Sequence, residues 1–114
     1  MSLIKVPRVS DIEVIAGDYF QLSVVLTGDY SGATLKSEVR SAQRYDATLL
    51  GSFAIISATY DGTYTSVTMS LTPAETRAMG AFEVCFWDFC ATLYANQPRT
   101  LFIGELSMVQ DVTA

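Results

Sequence analysis

The stretch that most constrains this chain runs over residues 71–89, LTPAETRAMGAFEVCFWDF, where a short capped helix is set directly before the most apolar segment of the sequence. Thr72, Pro73 and Glu75 spell a capping box. The Thr hydroxyl and the Glu carboxylate satisfy orphan amides of the first turn, and proline takes the first helical position, where no amide is needed. The spelling predicts a helix to about Met79, ended by a left-handed Gly80. Ala81 to Ala91 then carries apolar side chains on both faces, which places it as a strand in the middle of a sheet.

The rest of the chain alternates as strands do. Phe20, Leu22, Val24 and Leu26 face one way against Gln21, Ser23 and Thr27, and Leu35 and Val39 oppose Lys36, Glu38 and Arg40. Residues 49–58 read as one strand with Phe53 and Ile55 on one face and Leu50 and Ile56 on a second buried face. Val67, Met69 and Leu71 oppose Ser66, Thr68 and Ser70, after an Asp61-Gly62 hairpin signal. The last long strand, 101–109, contains Gly104, which marks a bulge or a close backbone approach. These spacings predict an all-β fold, an Ig-like antiparallel β-sandwich of about seven strands with one short helix before the penultimate strand. Residues 1–10 read as an amino-terminal arm or edge strand, and residues 11–114 as a single sandwich domain.

Several chemistries are excluded or disfavoured by residue type. The chain has no histidine, so a His-based triad, base or metal site is ruled out. Cys85 and Cys90 lie on one predicted strand and point to opposite faces at a separation of about 16 Å. A disulfide needs α-carbons within about 7 Å, so the two read as buried, inert core thiols. Asp88 reads as a carboxylate bonded to backbone amides, and the Asp and Glu of turns and caps satisfy local bonds. No calcium loop or phosphate loop is present, so neither cofactor nor enzymatic activity is expected.

Seven basic residues are scattered among twelve acidic ones for a net charge of -5, which argues against nucleic acid and anionic membrane as partners. No run reaches the length of a membrane span, and the opening MSLIKVPRVSD lacks the apolar core of a signal peptide, so a soluble protein made in the cytosol is expected. Charged residues make up 17%, below the typical ~25%, which suits either a well-buried small sandwich or an apolar surface that meets another subunit.

Leu3, Ile4 and Val6 precede Pro7 and form the candidate assembly contact, an added strand for a neighbouring subunit or the first strand of their own domain. Tyr30, Tyr45, Tyr60 and Tyr94 fall at turns and form a candidate end-loop contact, including for carbohydrate. Thr72, Pro73, Glu75, Gly80, Trp87, Asp88 and Gly104 are the candidate structural residues.

The order of these signals resembles small Ig-like domains in virion proteins of tailed bacteriophages, including the amino-terminal domain of baseplate upper proteins. The matching features are Gly17-Asp18 before FQLSVVLTGDYSG, Arg40 closing SEVRS, the helix in VTMSLTPAETRAM, Trp87-Asp88-Phe89, and LFIGELSMVQDVT with Gly104, Val112 and Thr113. Family members often carry Tyr where this chain has Trp87. The resemblance implies a non-enzymatic structural protein of tail, baseplate, neck or fibre attachment, assembled with other virion proteins and as a homo-oligomer. It would be made in the bacterial host cytoplasm and located in the virion. A capsid decoration protein and a carbohydrate- or receptor-binding module are the alternatives.

Overall fold

The computed structural model describes residues 8–93 and 97–110. In chain order it contains β1 (Arg8–Val9), β2 (Ile12–Ile15), β3 (Phe20–Thr27), β4 (Thr34–Arg40), β5 (Leu49–Ser52), β6 (Ala54–Tyr60), β7 (Tyr64–Leu71), α1 (Pro73–Met79), β8 (Val84–Thr92) and β9 (Pro98–Val109). The larger sheet runs β1-β9-β8-β4-β5, with β2 also paired to β9, and the smaller runs β3-β7-β6. β1 and β2 lie parallel to β9, and the other pairings are antiparallel. With β3, β7 and β6 as one layer and β5, β4, β8 and β9 as the other, the strand order is that of an Ig-like β-sandwich.

One core fills the space between the sheets. Val67, Met69 and Leu71 of β7 are fully buried against Val39, Cys85, Phe89 and Leu106 of the larger sheet. β8 lies between β4 and β9, as a doubly apolar strand should. Its two faces differ, however. Cys85, Trp87, Phe89 and Ala91 point into the core, whereas Phe86, Asp88 and Cys90 face outward and are half-buried. Only one thiol is therefore a core group. Cys85 is buried, but Cys90 lies on the outer face beside the Thr100 hydroxyl at 3.4 Å. Burial raises both thiol pKa values above the ordinary range.

The expected single strand over residues 49–58 is two strands. β5 pairs with β4 in the larger sheet and β6 with β7 in the smaller, so the chain crosses between layers at Phe53. Phe53 is buried against Phe20 and Trp87 at ring-centroid distances of 6.2 Å. The second buried face does not form: Ile56 is 53% exposed, because β6 ends its sheet and nothing among the described residues covers its outer side.

The helix is capped as its sequence requires. The Thr72 hydroxyl accepts the Glu75 amide at 3.2 Å, and the Glu75 carboxylate accepts the Thr72 amide at 3.0 Å. Glu75 also accepts the Ser52 amide at 3.1 Å, tying the helix to β5. Gly80, however, is right-handed, at φ -61°. Its requirement is steric: a β-carbon there would sit 2.8 Å from that of Ala16. The helix end and the β2 end approach closely, and only glycine leaves room.

Two buried threonines hold the ends of the sandwich. Thr76 donates to the Asp18 carbonyl at 2.8 Å and accepts the Gly17 amide at 3.0 Å, fastening the helix to the β2–β3 turn. Thr65 donates to the Gly28 carbonyl at 2.7 Å and accepts the Tyr30 amide at 2.9 Å, fastening β7 to the β3–β4 turn. Each hydroxyl satisfies a donor and an acceptor that burial would otherwise leave costly.

Candidate functional site

The amino-terminal end of the described chain is held by Trp87. Its indole N–H donates to the Ser10 carbonyl at 2.8 Å, reaching over Gly104, its cross-strand neighbour on β9. A β-carbon at Gly104 would collide with that carbonyl and come within 2.9 Å of the indole nitrogen. Gly104 therefore marks a close approach rather than a bulge; the register shift between β8 and β9 lies instead at Phe89/Cys90. Arg8 and Val9 run beside Phe102 and Ile103, and the Ser10 amide donates to the Ile103 carbonyl at 2.8 Å. Leu3, Ile4 and Val6, the candidate assembly contact, lie outside the described residues.

The outer face of the larger sheet carries the charge. Glu38 lies 3.3 Å from Arg40 and 3.7 Å from Lys36, so the outward charges of β4 pair along their own strand rather than across strands. A shallow cleft of about 230 Å³ opens here between Arg40, Tyr45, Phe86, Asp88 and Ile103. The Arg40 guanidinium closes one end by donating to the Ala47 carbonyl at 2.8 Å. Asp88 accepts the Glu38 amide at 3.3 Å, the backbone bond its sequence context suggested. Partial burial raises its pKa despite that bond, and the nearby Glu38 charge adds to the rise. The cleft can hold a small polar group. Among the described residues no group of three or more Cys, Asp or Glu is placed to hold a metal ion.

The turn tyrosines do not share one surface. The β3–β4 turn and the β6–β7 hairpin meet at one end of the sandwich, where the Gly28 amide donates to the Thr63 carbonyl at 2.9 Å. Tyr30 at this end is half-buried against the core, and Tyr60 is exposed, with its hydroxyl donating to the Gly62 carbonyl at 2.8 Å. Asp61 caps the hairpin by accepting the Tyr64 and Thr63 amides, which hold its pKa below the ordinary carboxylate value. Asp29 likewise accepts the Ser31 hydroxyl and amide, and its pKa is lowered. Tyr45, 91% exposed, sits on the β4–β5 loop at the other end, and Tyr94 lies outside the described residues.

The smaller sheet presents a different surface. β3, β6 and β7 contain no Asp, Glu, Lys or Arg. Their outward positions include Gln21, Ser23, Val25 and Thr27 on β3, Ser66 and Thr68 on β7, and Ser57 and Thr59 on β6, beside the exposed Ile56 at the β6 register shift. Ser23 and Thr68 face each other with hydroxyls 3.3 Å apart, a cross-strand pair that supports the sheet without charge. Residue types reveal this surface only once the strands are assigned to sheets, which periodicity alone does not do.

No protein-family model matches the chain, and no curated protein matches it. Solved structures similar over nearly the whole length include two of cell-adhesion proteins. One comes from a photo-crosslinking analysis of multimeric cell-adhesive interactions of voltage-gated sodium channel β subunits. It is 11% identical with a TM-score of 0.46, over 96% of this chain and 98% of that one. The other is a parallel homodimer of the extracellular domain of the voltage-gated sodium channel β4 subunit, 11% identical with a TM-score of 0.42, over 98% and 100%.

Proposed function

We propose that this chain is a non-enzymatic structural protein of a tailed-bacteriophage particle, in the tail, baseplate, neck or fibre attachment, acting through protein–protein contacts. Its partners in this reading are other virion proteins and further copies of itself. The observation that carries the contact reading is the smaller sheet: an uncharged surface with strand edges on both sides offers another chain hydrogen-bond partners without the cost of desolvating charge. The phage assignment is supported by the order of short motifs, from Gly17-Asp18 through Trp87-Asp88-Phe89 to Val112-Thr113.

Within this reading the apolar arm of Leu3, Ile4 and Val6 adds a strand to a neighbouring subunit. Main-chain bonds supply affinity, and pockets for alternate side chains supply register. The test is mass spectrometry of particles purified from lysates of the cell that encodes the chain, with the full protein and with residues 1–7 removed, a deletion that spares the pairing of Arg8. The expected result is a fixed copy number per particle for the full protein and loss from particles for the shortened one, with an unchanged melting temperature. Absence of the full protein from every particle fraction overturns the proposal. Presence on capsids alone replaces it with the decoration reading, and glycan binding by a free monomer replaces it with the receptor-binding reading.

A further inference from the structure

β3 has the most open strand edge among the described residues. On one side it pairs with β7 over eight consecutive positions, from Phe20↔Leu71 to Thr27↔Tyr64, with no register shift. On the other side it ends the smaller sheet. A cleft of about 210 Å³ lies along this free side, between Leu22–Val25 of β3 and Ser10, Trp87 and Phe102. The other edges are blunted. β5 is four residues long and shifts register against β4, β6 is broken by a shift between Ile55 and Ser57, and β2 carries Glu13. β3 has no bulge, no proline and no charge, the devices by which monomeric proteins protect an edge.

We propose that this edge docks a second copy of the same chain, β3 against β3, antiparallel about a two-fold axis, to make one continuous sheet β6-β7-β3-β3-β7-β6. The inference goes beyond the arm contact proposed above and does not depend on it. Charge selects the occupant. At a net charge of -5, two copies repel over most approaches, and the smaller sheet is the surface on which they meet without opposing carboxylates. A partner chosen for opposite charge would find nothing on this edge to pair with.

Side-chain alternation fixes the register. Phe20, Leu22, Val24 and Leu26 must face the core in both copies, so even-numbered residues pair with even and odd with odd. The axis therefore passes through a residue, such as Ser23 or Val24. Asp18 and Asp29, which bracket the strand, then never stand directly opposite one another, since that pairing would match an even with an odd position. With the axis at Val24, Ser23 of each copy faces Val25 of the other.

The test uses the full chain. Sedimentation equilibrium over a range of concentrations is expected to show the mass rising from one chain to two, and hydrogen exchange of amides in residues 20–27 to slow with concentration. Added salt strengthens the association by screening the net charge. Ser23→Lys with Val25→Lys sets like charges across the axis and raises the dissociation constant by about tenfold or more. Both positions are exposed, so the melting temperature of the monomer falls by no more than the loss of the exposed Ser23–Thr68 contact, and Val25→Thr, which leaves that contact in place, keeps the association. A wild-type chain that stays at one-chain mass throughout, or concentration-dependent protection elsewhere than residues 20–27, overturns the proposal. So does loss of association on removing residues 1–7 alone: the edge would then be taking an arm, and the function proposed above would stand.

Discussion

The two sheets of this sandwich share one core and have opposite exteriors. The larger sheet bears Glu13, Lys36, Glu38, Arg40, Asp88, Arg99 and Glu105, and it keeps an outward cleft in which Glu38 pairs with Arg40 and Asp88 bonds to backbone. The smaller sheet bears no charge and leaves β3 and β6 as edges. Inward positions answer to packing, and both sheets meet that demand alike, with Val67 and Met69 on one side and Val39 and Phe89 on the other. Outward positions are free of packing, so their difference is a record of what each face meets. A face that meets water keeps charge, and a face that meets a like-charged copy of itself does better without it.

The strongest way to break the comparison is to show that the core is not shared. Phe89→Ala, in the central strand of the larger sheet, removes a fully buried ring and is expected to cost about 3–5 kcal/mol by chemical denaturation. Ser66→Ala, outward on the smaller sheet, should stay within ~0.5 kcal/mol. Equal losses would mean that the outward face of the smaller sheet is packed against something.

A medium effect concerns the helix that joins the sheets. Thr72→Ala removes the side-chain acceptor of the Glu75 amide and should cost about 1 kcal/mol. Because Glu75 also holds the Ser52 amide, exchange at Ser52 should quicken in the same variant. An unchanged Ser52 would separate the cap from the link to β5.

The smallest effect sharpens the charged exterior. The Asp88 pKa is raised by burial, so the folded state favours the neutral acid. The sign follows: this group contributes stability at pH below its folded pKa and loses it as pH rises through that value. Asp88→Asn keeps an acceptor for the Glu38 amide and removes the charge. It should raise stability at neutral pH by less than about 1 kcal/mol, since solvent screens this half-open face. Melting curves of the two proteins should converge as pH falls, and a gap that widens in acid would reverse the assignment.

How much of this was legible in the sequence follows the range of the interactions. The capping box of Thr72, Pro73 and Glu75 is local, and so is the alternation that identifies β3, β4 and β7; both were readable. The sheet change at Phe53 was not, because a strand crossing between layers keeps its alternation while changing its neighbours. Gly80 was read for its backbone when its partner was Ala16, far away in sequence. Thr65 and Thr76 gave no signal at all, since a buried threonine whose hydroxyl joins a distant carbonyl to a distant amide looks like any other strand or helix threonine. Leu3, Ile4 and Val6 are legible as an apolar segment of the sequence, and they lie outside the described residues.

The hydrogen bond from Trp87 to Ser10 gives the molecule a built-in optical gauge. This is the chain's single tryptophan, buried between Phe53 and Phe102, and its one polar atom is bonded to the carbonyl where the amino-terminal segment meets the domain. Indole emission shifts with the polarity and bonding around the ring, so light from this one residue reports whether the amino-terminal chain is seated on β9 or has been drawn away. Assembly that pulls on the arm would be visible as a change of colour, without any label added.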